Sequence, residues 1–196
     1  MISFKDKSKK TAKKTTSPKI DVPFYSHLDA SDPIWQDRAR SVACLAMLIE
    51  YYRPHGIKSL DGLILEGVAI DAFTSAGWSH PRLVVLAHNY GIRGYMEEFR
   101  SKNEQYHEAF FDKGVEKIAD HLDHGHPVMA STYRNWTDEQ HFNLVVLTGY
   151  LKDDSGILGF YYNDPDAKSA EEGKNKFVDF KTFKSQWRRL VIFMGW

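Results

Sequence analysis

The sequence predicts an α+β fold in which a buried N-terminal helix packs on a C-terminal antiparallel sheet. Helical patterns fill the first half of the 196 residues and strand patterns the second, without the strict alternation that a parallel sheet requires. One stretch, RSVACLAMLIEYY over residues 40–52, is apolar on nearly every helical face, which marks a helix enclosed on all sides. The length, with 42% hydrophobic and 14% aromatic residues, suffices for one substantial core.

The first 20 residues carry seven lysines and one acid. Removing them from 26 basic and 26 acidic residues leaves 19 and 25, so the body has a formal charge of about −6 and no mark of a specific nucleic-acid binder. Residues 1–19 have few apolar side chains and are expected to form a flexible lysine-rich tail, a solubilising arm or a contact for a polyanion or membrane surface. A single domain is expected over residues 20–196. No signal-peptide core or run of 18 apolar residues is present, which points to the cytoplasm. The single cysteine excludes an internal disulfide and a four-cysteine zinc site, and neither a cofactor nor a metal is expected.

The ordered body begins at IDVPFYSH, read as a short edge strand because Ile20, Val22 and Phe24 alternate before turn residues. The buried helix follows, with Ser41 as its expected N-cap and Pro54 and Gly56 ending it. A second helix is predicted over residues 59–73 and a third over 79–91, with Pro81 in its first turn and Gly91 at its end. After the extended IRGYMEEF, residues 114–125 give another helix. Strands are predicted at PVMAST, HFNLVVLTGYL, ILGFYYNDP, NKFVDF and LVIFM, with a helical turn at KTFKSQW. No internal repeat is found.

These landmarks, taken in order, resemble one family. DVPFYSH, LAMLIEYY, GWSHPRLVVLAHNYGI, GHPVMAS, LVVLTGY, GFYYNDPD and FVDFKTFKSQW with LVIFM are similar to the bacteriocin-processing, double-glycine leader peptidase-like branch of the papain-like cysteine peptidases, over residues 20–196. The resemblance implies a papain-like fold with a cleft between helix and sheet. It also implies four catalytic parts: a cysteine at the helix N-terminus, a histidine at the start of a strand, an aspartate that orients it, and a glutamine for the oxyanion.

Carried over residue by residue, the resemblance breaks at the chemistry. In relatives the cysteine stands five residues before the leucine of a Leu-x-Met segment; here that segment is Leu45-Ala46-Met47 and the count reaches Arg40. A guanidinium has no lone pair to attack with, and at the positive end of a helix dipole it stands where a thiolate would be favoured. Cys44 lies one turn further in, about 6 Å along the helix. The histidine position falls on Asn143, with His141 on the same strand face about 6 to 7 Å away. His27 stands for the glutamine and can still donate a hydrogen bond, and Asp164 matches the aspartate.

Each residue has a plainer reading. Cys44 fits a small buried side chain whose thiol pKa is raised, His141 a polar residue at a strand mouth, and Asp164, before Pro165, a turn former. His121, His124 and His126 suit the C-terminal end of a helix dipole better than a metal site. The aromatics Phe110, Phe111, Tyr133, Trp136, Tyr161 and Tyr162 fit core packing more readily than a peptide groove. The reading favoured is a pseudopeptidase that has lost hydrolysis and binds a peptide or protein segment. Two alternatives stand beside it: an active peptidase using Cys44, His141 and Asp164 in a shifted register, and a scaffold that works through the basic tail.

Overall fold

A computed structural model describes residues 15–17, 19–137 and 141–195. The lysine-rich segment up to residue 14, and with it the polyanion or membrane contact, lies outside the described residues.

Seven antiparallel strands form the main sheet. Its order is β4 (Gly94–Glu98), β9 (Trp187–Met194), β5 (Val128–Tyr133), β6 (Phe142–Asp153), β7 (Gly156–Asn163) and β8 (Lys176–Asp179), with β1 (Thr15–Thr16) also paired to β6. The helix α2 (Arg40–Tyr52) lies against one face, with the short α1 (Pro33–Gln36) before it and α3 (Leu60–Ala69) and α4 (His80–Asn89) around it. The opposite face carries α5 (His107–Asp123) and α7 (Phe180–Gln186); the single turn α6 (Ala170–Gly173) precedes β8. The fold is therefore the α+β arrangement that the sequence predicts. Among the described residues no helix is long and apolar enough to cross a membrane.

The pattern of α2 explains its place. Val42 to Ile49 are all fully buried, because α3 and α4 cover the faces that the sheet does not. Its N-cap is Ala39 rather than Ser41, which lies inside the helix, and no side chain caps the free amides. On the far side Phe99, Phe111, Phe160, Phe183, Trp187 and Phe193 make an aromatic core. Of the aromatics named above, Phe111 and Tyr162 are buried there with Trp136 against them, Tyr161 pairs with Phe177, and Phe110 is exposed.

The elements depart from expectation in three places. Residues 20–27 form no strand: Pro23 has no amide to donate, and pairing begins earlier, with Thr15 opposite Lys152 and Thr16 opposite Leu151. Since β5 reaches only Leu147, the edge of β6 beyond it pairs instead with the N-terminal segment; besides the two threonines, Ser17 N donates to Tyr150 O at 2.9 Å and Ile20 N to Thr148 O at 2.8 Å. Second, the helix expected to reach residue 73 stops at Ala69, where Asp71 takes a left-handed φ of 56°, and a hairpin of β2 (Phe73–Thr74) and β3 (Gly77–Trp78) follows. Third, α5 starts seven residues before the predicted Gly114. That glycine is a packing position, since a Cβ on it would lie 2.5 Å from the Trp187 ring and 2.7 Å from Phe99.

Candidate functional site

The head of α2, the β2–β3 hairpin and the start of β6 border a cleft of about 710 Å³, walled by Asp37, Arg38, Arg40, Ser41 and Phe73 to Trp78 on one side and by Ser131, Asn143 and Arg188 on the other. Trp35, Phe73 and Trp78 support the helical wall, with ring centroids 5.1 Å apart for Trp35–Phe73 and 5.2 Å for Phe73–Trp78. The Trp78 indole donates to the Arg38 carbonyl at 2.7 Å and ties the hairpin to the entrance of α2.

Arg40 takes the first position of α2, at the cleft. Its Nε donates to Asp166 Oδ1 at 2.6 Å, while Arg134 holds the same carboxylate through Nε to Oδ2 at 2.5 Å and Nη2 to Oδ1 at 3.0 Å. His27 Nε2 lies 3.4 Å from Asp166 Oδ1, and its Nδ1 donates to the Gln36 carbonyl, which can only accept. Burial alone would raise the Asp166 carboxyl, but the hydrogen bonds from Arg134 and Arg40 outweigh it and hold its pKa below the usual aspartate value. One carboxylate thus fastens the helical half, through Arg40 and His27, to the loop after β5, through Arg134.

Cys44 lies a turn further along, fully buried, with its thiol donating to the Leu144 carbonyl at 3.1 Å. Burial, and then the negative charge of Asp164, push its pKa well above the ordinary thiol value, so the neutral thiol persists at pH 7. Asn143 is buried, and its side-chain oxygen accepts from the Leu144 amide at 2.9 Å. His141 is exposed; its carbonyl accepts from Arg134 N at 2.7 Å, and its imidazole makes no hydrogen bond or ion pair among the described residues. Asp164 faces Lys176, whose Nζ donates to Oδ2 at 2.8 Å, while its Oδ1 accepts from the Asp166 amide at 3.1 Å. The structure therefore gathers His27, Arg40 and Asp166 into one cluster and leaves Cys44, His141 and Asp164 with separate partners.

Asp166, Arg134, Arg188 and the hairpin are site residues that the sequence reading missed. The signal for Asp166 was present, since NDPD offers a second carboxylate two residues after Asp164, but its partners lie 126 and 32 positions away in the chain. The three histidines end α5 separately: His124 Nδ1 donates to the Asp120 carbonyl at 2.7 Å, and His126 Nδ1 meets the Tyr52 hydroxyl at 3.3 Å. No group of three His, Cys, Asp or Glu that could hold a metal is found among the described residues.

Fold and cleft define an α+β domain with a cleft between helix and sheet, whose cleft-lining helix begins with a cation, Arg40. The chain belongs to the Peptidase_C39 like family, whose model matches residues 19–191. Compared with curated proteins it matches none. Among solved structures it is similar to a putative C39-like peptidase from Bacillus anthracis, with TM-score 0.62 and 17% identity over 93% of this chain and 98% of that one. It is also similar to a double glycine motif protease from an AMS/PCAT transporter in complex with its leader peptide, with TM-score 0.54 and 20% identity over 90% and 92% of the two chains. The peptidase domain of Streptococcus ComA gives TM-score 0.54 and 18% identity over 81% and 92%. At these identities the likeness concerns the fold.

Proposed function

We propose that this domain holds a peptide or protein segment in its cleft without hydrolysing it. The observation that carries the reading is Arg40 at the head of α2, ion-paired to Asp166, while the only thiol of the chain is buried one turn further in. Acyl transfer needs a nucleophile within hydrogen-bond reach of a base. Cys44 instead donates to a backbone carbonyl, and the exposed His141 is no partner to it. A cleft of about 710 Å³ with aromatic and cationic walls remains, large enough for several residues of an extended chain. The similar double glycine motif protease was crystallised with a peptide, which supports a peptide as the occupant of this cleft too.

The test is a peptide-hydrolysis assay, read by mass spectrometry of a mixed peptide substrate, on the unaltered protein and the Cys44→Ala and Arg40→Ala variants. Intact peptides in all three are expected. Hydrolysis abolished by Cys44→Ala but kept in Arg40→Ala would overturn the reading in favour of an active enzyme using Cys44, His141 and Asp164.

A further inference from the structure

The sheet wall of the cleft contains a charge that forms no ion pair with a carboxylate among the described residues. Between β5 and β9 the register shifts from Ala130 to Thr132, and Arg189 takes a left-handed φ of 61°, so β9 bulges opposite Ser131. Bulges re-aim side chains, and this one sends two arginines apart. The Arg189 guanidinium lies over the Phe111 ring at 4.1 Å, on the α5 side, and the Arg188 guanidinium over the Phe142 ring at 3.4 Å, in the cleft.

Arg188 Nη1 donates to the Ser131 hydroxyl at 3.1 Å, and among the described residues no carboxylate forms an ion pair with it. The neighbouring Arg100 adds a second positive charge, since its Nε and Nη2 donate to the Arg188 carbonyl at 3.0 and 2.6 Å and fix the backbone there. Burial, and then Arg100, lower the pKa of Arg188, with Tyr133 and Glu98 opposing them. Arg40, by contrast, is neutralised by Asp166. His80, which also lines the cleft, is held below its ordinary pKa by burial and by Arg188, so it is neutral at pH 7 and free to donate one hydrogen bond.

We infer that Arg188, with Ser131 and His80 beside it, is the seat for a carboxylate of the bound peptide, with the rings of Phe73, Trp78 and Phe142 taking an apolar neighbour. This rests on the peptide-holding reading above. A guanidinium presents its donors in a fork that fits a carboxylate, and one of its five N–H groups is engaged by Ser131. The carboxylate is a chain terminus or an acidic side chain, two sources of the same chemistry. The cleft cations are set apart on aromatic rings, Arg38 over Phe73 at 5.8 Å and Arg188 over Phe142 at 3.4 Å, which suits one carboxylate better than a phosphate backbone, which takes several cations in a row.

The experiment uses three fluorescein-labelled heptapeptides of Ala, Leu and Phe: one with a free C-terminal carboxylate, one amidated, and one amidated with an internal glutamate. Fluorescence anisotropy is expected to show the first or third binding at least about tenfold more tightly than the second, and which of the two it is names the source. Arg188→Gln should remove that preference, and raised salt should reduce it in the unaltered protein, a readout that needs no variant to fold. Equal binding of all three peptides, or a preference kept by a folded Arg188→Gln protein, overturns the carboxylate seat and leaves the peptide-holding reading standing. Binding of none overturns both. Displacement of the carboxylate peptide by inorganic phosphate at lower concentration than by acetate would overturn the seat in favour of a phosphate site.

Discussion

Asp166 is the residue on which the cleft turns. Its carboxylate is held by two guanidiniums and lies beside an imidazole, with 8% of its side chain exposed, so removing its charge leaves Arg40 and Arg134 uncompensated. With Arg134 more than a third exposed, Asp166→Asn is expected to cost about 2 to 4 kcal/mol in urea unfolding, the lower part of what breaking a buried pair costs. The pH dependence has a definite sign. A carboxylate whose folded pKa is depressed stabilises the fold fully above the ordinary value of 3.8 and loses that contribution as pH falls through the folded value. The stability gap between unaltered protein and Asp166→Asn should therefore be flat at neutral pH and shrink on acidification below about pH 4. A gap that widened on acidification would contradict the assignment. This residue also shows where sequence reading stopped. Arg40 and Asn143 are reached by counting from motifs and Asp164 by the YYNDPD motif; in the fold Asp164 pairs with Lys176 and Asp166 meets Arg40. Which carboxylate meets the helix head depends on how the chain turns through Pro165, and no local pattern encodes that.

At the scale of elements, helices with strong apolar periodicity were read correctly and their ends were not. The sequence places the start of this helix at Gly114, yet α5 runs through that glycine so that Trp187 and Phe99 can approach the backbone. Gly114→Ala should therefore destabilise the protein, by about 1 to 3 kcal/mol of overpacking, instead of stabilising it as alanine does on an open helix face. Thermal unfolding of the variant decides between the signs. The β1 segment was invisible to hydrophobic reasoning because Thr15 and Thr16 bury nothing and join the sheet through backbone pairing. Ser17 then receives the Tyr150 amide at 2.7 Å and donates to the Tyr150 carbonyl at 3.2 Å. Ser17→Ala is expected to speed hydrogen exchange at the Tyr150 amide by about tenfold or more, with helix α2 unaffected.

For the whole molecule, family and architecture were legible because they follow from the order of many weak landmarks, each tied to the core. The sequence bears on the proposed loss of hydrolysis through one residue, the arginine that stands at the head of α2. What the fold adds is the use of that position: Arg40 and Asp166 fasten the head of α2 to the loop after β7. The central claim is that no reactive thiol stands in this cleft, and the most direct measurement is the rate at which iodoacetamide alkylates Cys44 in the native protein at pH 7, compared with the denatured chain. The account predicts native labelling at least about a hundredfold slower, because a buried neutral thiol must await opening of the fold. Rapid, stoichiometric alkylation of the native protein would contradict it.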